Sequence, residues 1–366
     1  MAQQSMISNR QLLALVALAT VGTSSLYAPA PLAHYAGRDA WYLVLIGGAA
    51  GLLNIGVFVW LNRLYPEHNL ISICKQVLGR WVGGLLGFIF VLYLLDISSW
   101  VLREFAQFFI ITLEPTIPIT WYLAAGALMC GYAVYHGLEV FARVSEIVFI
   151  LTVATFLGIY LLLLYQYQPE YMLPVLENGL LEPLKGVLVP ISWVGDLMCV
   201  SMLLKHVRKT KQTGYYIVGT VGVIALILLL AVVTCTMVLG GEATATFTYP
   251  SISLIQNIHL FRNIERFDAA LVAAWVMSAF IKITVYFWSA LQGFTELLPI
   301  RQPRAFVAPL AVAMILCSKY KVWGLIEMAS FYDKQSWYFI IFQFCLPALL
   351  LLAALGKSIL TKHRDG

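Results

Sequence analysis

Three ionisable residues sit where this chain can least tolerate them. Asp96, Asp196 and Lys282 each fall near the middle of a long apolar run. A charged side chain at the centre of a bilayer costs roughly 3 kcal/mol on insertion scales, and far more when it is isolated. Lys282 lies too deep for its ammonium group to reach either surface by extension. Three such groups at similar depth predict mutual pairing around a polar cavity, with Asp96 or Asp196 as the partner of Lys282. A purely structural ion pair that locks helices together fits the same residues.

Polar and aromatic stripes run beside these charges. Trp275, Ser278, Lys282, Tyr286 and Ser289 recur at three- and four-residue steps and share one helix face. Tyr93, Asp96, Ile97, Trp100 and Arg103 form a similar face. Such stripes serve as packing glue or as the lining of a site, and periodicity favours neither.

A second group of residues acts through the backbone. Gly22-Thr23-Ser24-Ser25 is followed by Pro29 and Pro31, and Pro190-Ile191-Ser192-Trp193-Val194-Gly195-Asp196 interrupts another apolar run. Unwinding at Gly22–Ser25 would free backbone N–H groups beside a half-helix N-terminus, which carries partial positive charge and suits a carboxylate. The hydroxyls of Thr23, Ser24 and Ser25 add hydrogen bonds. Ser192, Trp193, Val194 and Gly195 would meet a guest's side chain, and Asp196 or free carbonyls its ammonium. Ordinary proline kinks, relieved by neighbouring helices, are the competing reading.

The chemistry expected is therefore non-covalent binding rather than catalysis. No H-E-x-x-H, G-x-S-x-G or Walker loop occurs, so no enzyme activity is expected. His34, His68, His136, His206, His259 and His363 are scattered, and none of the six cysteines forms a C-x-x-C pair. No metal, cofactor or disulfide framework is expected.

The elements that position these residues follow from composition. Of 366 residues, 61% are hydrophobic and 11% charged, against roughly 25% charged in a soluble domain. A helix needs roughly 20 apolar residues to cross the hydrocarbon core. Ten runs qualify: 11–35, 40–64, 81–112, 119–135, 146–165, 184–204, 214–240, 266–293, 302–320 and 337–360, the fourth and ninth being the weakest. The chain reads as an all-α, ten-span integral membrane domain over its full length. Ala28-Pro29-Ala30 faintly resembles a signal cleavage site, but Pro31 would follow the cut and the apolar run is too long.

Loop charge sets orientation. Of 23 Lys and Arg residues, 14 fall in connections on the N-terminal side and 7 on the other, with Arg103 and Lys282 inside spans. The positive-inside rule then places both termini in the cytoplasm. The net charge of +5 belongs to these loops, so no nucleic-acid surface is expected. The interrupted spans 1 and 6 are five apart. They predict a five-plus-five inverted repeat, residues 11–165 and 184–360, with binding at the discontinuous helices.

Short segments carry a family likeness. Leu78-Gly79-Arg80-Trp81-Val82-Gly83 leads into span 3. Tyr249-Pro250-Ser251-Ile252-Ser253-Leu254-Ile255, Ile264-Glu265-Arg266-Phe267, Trp275-Val276 and Tyr286 follow in order, after a basic run beyond span 6. In this arrangement the chain resembles the endospore germination permeases, the B subunits of nutrient-germinant receptors. They belong to the amino acid–polyamine–organocation superfamily with its LeuT-type fold. The resemblance implies a ligand site at spans 1 and 6, flanked by spans 3 and 8, with Tyr93, Ile97, Val194, Lys282 and Tyr286 facing it. Lys282 departs from the small polar residue expected there. It would compensate a carboxylate, bind an acidic ligand, or stand in for a sodium ion. The resemblance further implies the spore inner membrane, an A subunit and a lipid-anchored C subunit as partners, and a small nutrient, first of all an amino acid, as ligand. A proton-coupled amino acid transporter using Asp96, Asp196 or Lys282 is the alternative, and a ligand-opened conduit a third reading.

Overall fold

Lipid offers the backbone no hydrogen-bond partner, so apolar runs of this length fold as helices that satisfy themselves. A computed structural model describes residues 6–112, 114, 116–177, 179–256, 267–298, 300, 302–321 and 335–364. These residues are almost wholly helical, and the strand-like pairing among them is a single bridge between Ile7 and Val207.

Span 1 comprises α1 (Asn9–Tyr27) and α2 (Pro29–Ala36), and span 2 is α3 (Ala40–Leu64). The short α4 (Leu70–Leu78) leads to α5 (Arg80–Thr112), then α6 (Ile119–His136) and α7 (Leu138–Leu162). Span 6 is divided into α8 (Leu188–Val194), a 3-10 stretch at Gly195–Cys199, and α9 (Val200–Leu203). Next come α10 (Thr213–Leu239), α11 (Gly241–Thr246), α12 (Pro250–Gln256), α13 (Phe267–Leu297) and α14 (Val307–Tyr320). The last helix, 335–364, contains a π-turn at Ile341–Cys345.

Seven helical stretches among the described residues are long and apolar enough to cross a bilayer, including Arg80–Ile111, Pro183–His206 and Ala269–Leu297. The first expected span opens with the 19-residue α1, and the fourth and ninth are the 18-residue α6 and the 14-residue α14. At 1.5 Å per residue, α14 covers only about 21 Å of a core roughly 30 Å thick. The protein is a multi-pass membrane protein, and its large exposed apolar side chains, such as Leu53, Leu128 and Leu349, suit lipid and not water.

The bundle is built around α1. From Leu12 to Tyr27 every side chain but Leu13 is buried. This helix packs on α13, α10 and α7, and α13 packs in turn on α5. Gly22 makes the approach to α13 possible: a Cβ there would lie 2.9 Å from the Ser278 carbonyl oxygen of α13.

Contacts between connections fall into two groups. In one, the Ile7 amide donates to the His206 carbonyl, the Arg208 amide to the Ile7 carbonyl, and Lys357 Nζ to the Gln76 carbonyl. Glu296 gathers three elements there, accepting from Lys205 at 2.9 Å and Asn69 at 3.3 Å, while its carbonyl accepts from Lys75. In the other, Arg38 meets Glu177 at 3.7 Å and the Leu176 amide donates to Asp39 at 2.9 Å.

Span 1 is interrupted, but not where its small residues suggest. Helix α1 continues through Gly22, Thr23, Ser24 and Ser25 and breaks at Ala28, before Pro29. Pro29 has no N–H for the Ser25 carbonyl four residues back. That carbonyl instead accepts from the Ser251 hydroxyl at 2.9 Å. Gly22 is a spacer against α13 rather than a hinge. The Ser24 hydroxyl is spent on the Thr20 carbonyl at 2.8 Å. Ser251→Ala would strand the buried Ser25 carbonyl, so it is expected to lower stability by about 1–3 kcal/mol. Thermal unfolding of the purified protein in detergent reads this, and an unchanged melting temperature counts against the bond.

Candidate functional site

The break in span 6 falls at Gly195–Cys199, where the helix tightens to 3-10 geometry. That places Asp196 on a bend facing α1 and α13 at mid-bundle. Lys282 of α13 reaches it at 2.6 Å, and the same ammonium donates to Thr23 Oγ1 of α1 at 2.8 Å. Lys282 is 4% and Asp196 5% exposed. Tyr286, one turn beyond Lys282, donates its hydroxyl to Asp196 Oδ1 at 2.7 Å. Gln343, from the π-turn, donates to the same oxygen at 3.2 Å. Each ion of this buried pair is therefore hydrogen-bonded beyond its partner, the condition under which such a pair persists away from water.

A cavity of about 40 Å³ adjoins the pair, lined by Thr23, Ile97, Trp100, Val101, Glu104, Ser192, Trp193, Asp196, Lys282 and Phe339. It has room for only a few water molecules. With Lys282 and Asp196 in contact, the site is closed around its own charges.

Of the expected site residues, the cavity collects Thr23, Ile97, Trp100, Ser192, Trp193, Asp196 and Lys282. Tyr286 stands behind Asp196 as a donor. Gly22, Ser24 and Ser25 lie in intact helix and do not line it. Val194 packs toward Gly51 of α3, and Gly195 abuts the Gln343 side chain. Tyr93 is buried in an aromatic stack with Phe342, ring centroids 4.5 Å apart.

Asp96 does not join the pair. Its partner is Lys321, at the end of α14, at 2.5 Å, with the Tyr338 hydroxyl donating at 3.1 Å. The Lys321 ammonium also sits 3.9 Å from the centre of the Trp100 ring, a cation–π contact. Loop assignment puts Lys321 in a connection on the outer side, and the shortness of α14 brings it within reach of Asp96. The helix ends early enough for its terminal lysine to turn inward. The three deep charges thus resolve into two pairs, Asp196–Lys282 and Asp96–Lys321. Ile264, Glu265, Arg266 and Lys334 lie outside the described residues.

Gln343 and Phe339 were not foreseeable as parts of one site from span 10 alone. A lone amide among Ile341, Phe342, Phe344 and Cys345 is nevertheless a signal, because an unpartnered amide in an apolar helix is costly.

Fold and site together define a helical multi-pass membrane protein with a broken-helix core. Solved structures that share this fold include the following two. The crystal structure of MhsT in complex with L-phenylalanine aligns over 98% of this chain and 93% of its own, with a TM-score of 0.70 and 14% identity. A substrate-bound Na+-coupled sialic acid symporter aligns over 92% and 79%, with a TM-score of 0.64 and 12% identity. The fold is therefore LeuT-type. A family model described as "Spore germination protein" matches residues 6–322, and the chain belongs to that family. It is 26% identical to Spore germination protein KB of Bacillus subtilis (strain 168) over 320 residues, 86% of this chain and 85% of the relative. It is 25% identical to Spore germination protein A2 of the same organism over 365 residues, 96% of each. These relatives are spore germination proteins and the second structural neighbour is a symporter, neither of them a class of enzyme.

Proposed function

We propose that this chain is the germinant-sensing membrane subunit of a spore nutrient receptor, and that a small zwitterion, an amino acid, binds at the Thr23–Asp196–Lys282 cavity. The observation that carries the reading is the buried Lys282–Asp196 pair at the span 6 break. A zwitterion exchanges one internal pair for two external ones, its carboxylate on Lys282 and its ammonium on Asp196. No charge is left uncompensated, which the low dielectric demands. Trp100, Trp193 and Phe339 supply the apolar wall for a side chain. The likeness of fold to MhsT, whose structure holds L-phenylalanine, supports a guest of this size and charge.

Opening the pair changes how α1, α13 and the 3-10 stretch pack. A ligand biases such an equilibrium only by its differential affinity for the two packings. The change passes to an A subunit and a lipid-anchored C subunit in the spore inner membrane. Both termini are cytoplasmic, as the 14 to 7 distribution of basic residues supports.

Two experiments test this. Spores lacking this subunit, or carrying one exchanged for a relative, are challenged with a nutrient panel. The expected result is a selective loss of response to particular amino acids, and unchanged responses to every nutrient contradict it. Proteoliposomes holding this chain alone are then given labelled amino acids. Binding without flux is expected, whereas concentrative uptake driven by a proton gradient assigns the chain to transport.

A further inference from the structure

The Asp196 carboxylate is held unevenly. Oδ2 takes the Lys282 ammonium at 2.6 Å, while Oδ1 takes two uncharged donors, Tyr286 at 2.7 Å and Gln343 at 3.2 Å. Lys282 and Asp196 line the cavity, but Tyr286 and Gln343 do not. Oδ2 is thus the oxygen a guest competes for, and Oδ1 is the oxygen by which the scaffold holds the group.

Gln343 reaches Asp196 by an unusual route. It sits in the π-turn Ile341–Cys345, and such turns free backbone groups from the regular helical ladder. Its carbonyl accepts from Asn54 Nδ2 of α3 at 2.7 Å. Its carboxamide is wedged against the span 6 break: a Cβ on Gly195 would lie 2.0 Å from Gln343 Oε1 and 2.6 Å from Cδ. Asn54 is 2% and Gln343 1% exposed, so both are polar groups held deep inside apolar helices. The bare Gly195, the π-turn and the Asn54 bond converge on one result, an amide N–H aimed at Asp196 Oδ1.

We propose that Gln343 is a positioning residue. Anchored by Asn54 and the π-turn, it keeps Asp196 Oδ2 directed into the cavity when Lys282 moves away, and so sets how strongly the site prefers a guest bearing an ammonium group. This rests on the reading of the cavity as an amino-acid site. On a short 3-10 bend, a carboxylate held only from α13, by Lys282 and Tyr286, would follow that helix toward the guest's carboxylate. Held by Gln343 as well, it stays to receive the ammonium.

The test uses the full chain in nanodiscs, with Gln343→Met, Asn54→Leu and the double variant. Methionine keeps the shape against Gly195 and removes the N–H. Each standard L-amino acid is titrated beside the matching carboxylic acid that lacks the α-amino group. Gln343→Met is expected to narrow the amino acid to des-amino preference about tenfold, the size of one hydrogen bond to a charged group. Affinity for the des-amino acid is unchanged. Asn54→Leu narrows the preference in the same direction and adds nothing in the Gln343→Met background, as for residues acting through one another. Equal weakening of both ligand classes, or a wild-type ratio in Gln343→Met, overturns the proposal by leaving Gln343 a packing role.

If no amino acid binds the wild type, it is the functional reading that fails, and Gln343 is still tested by Cys199. This buried cysteine lies one 3-10 turn beyond Asp196. In a chain whose other five cysteines are alanine, Gln343→Met is expected to raise maleimide labelling of Cys199 about tenfold by loosening the break. An unchanged rate overturns the proposal.

Discussion

Lys282→Ala is expected to abolish the germinant response and to lower stability by about 3–5 kcal/mol, the usual effect of breaking a buried ion pair from one side. The Asp196 carboxylate, 5% exposed, would keep only the neutral donors Tyr286 and Gln343. A double variant separates the two roles the pair can play. Lys282→Met with Asp196→Leu removes both charges, keeps much of the volume, and is expected to recover most of the lost stability, since apolar replacements of buried pairs are often neutral or stabilising. The response is expected to stay absent, because no charge remains for either end of a zwitterion. Recovery of both would make the pair a structural lock. Thermal unfolding in detergent gives the first quantity, and the response of spores at matched subunit abundance gives the second. Normal response of the single variant at normal abundance removes Lys282 from the mechanism.

Gly22→Val is expected to have the next largest effect, about 1–3 kcal/mol of lost stability together with a weakened response. A Cβ at this position meets Ser278 O at 2.9 Å, Ser278 C at 3.0 Å and Ala279 N at 3.3 Å. All three are backbone atoms, which cannot swing aside, and overpacking of a tight contact carries a penalty of this size. Forcing α1 from α13 also parts the neighbouring Thr23 from Lys282, whose 2.8 Å contact spans that seam. Gly22→Ala should show the same direction with smaller amplitude. Gly219→Ala in α10 is the control: nothing lies within 4 Å of its Cβ position, so the exchange should be neutral or slightly stabilising. The melting temperature and the dose–response midpoint should move together for Gly22 and neither should fall for Gly219.

Much of this arrangement is legible in the chain because membrane solvent simplifies the rules. Apolar length marks the spans, and deep charges mark the places where helices must share a polar interior. That logic finds Asp196 and Lys282 and gives Lys282 either Asp96 or Asp196 as its partner; the structure pairs it with Asp196. It also expects a span 6 interruption over Pro190–Asp196, of which Pro190–Val194 is intact helix and Gly195 and Asp196 open the 3-10 stretch. It fails for span 1, where a run of glycine and hydroxyl residues reads as a weak point. Hydroxyl side chains in lipid-embedded helices bond back to their own carbonyls, as Thr20 does to Val16 and Ser24 to Thr20. Glycine there serves close packing. Proline alone deletes a donor, so the break moves to Ala28–Pro29.

The fate of Asp96 was decided by a distance no sequence pattern encodes. Lys321 reaches it because α14 is short and its terminal side chain folds back over Trp100. Gln343 depended on a π-turn, which leaves no periodic signature. Residues drawn from different ends of the chain, such as Thr23, Asp196, Lys282 and Phe339, converge only through the packing of the whole bundle.

The most direct measurement is an experimental structure of the protein holding the amino acid that elicits its response. The ligand ammonium should lie within hydrogen-bond distance of Asp196 Oδ2 and its carboxylate should meet Lys282, with the two side chains parted from their 2.6 Å contact. An intact Lys282–Asp196 bond, with the amino acid seated elsewhere, would contradict the account.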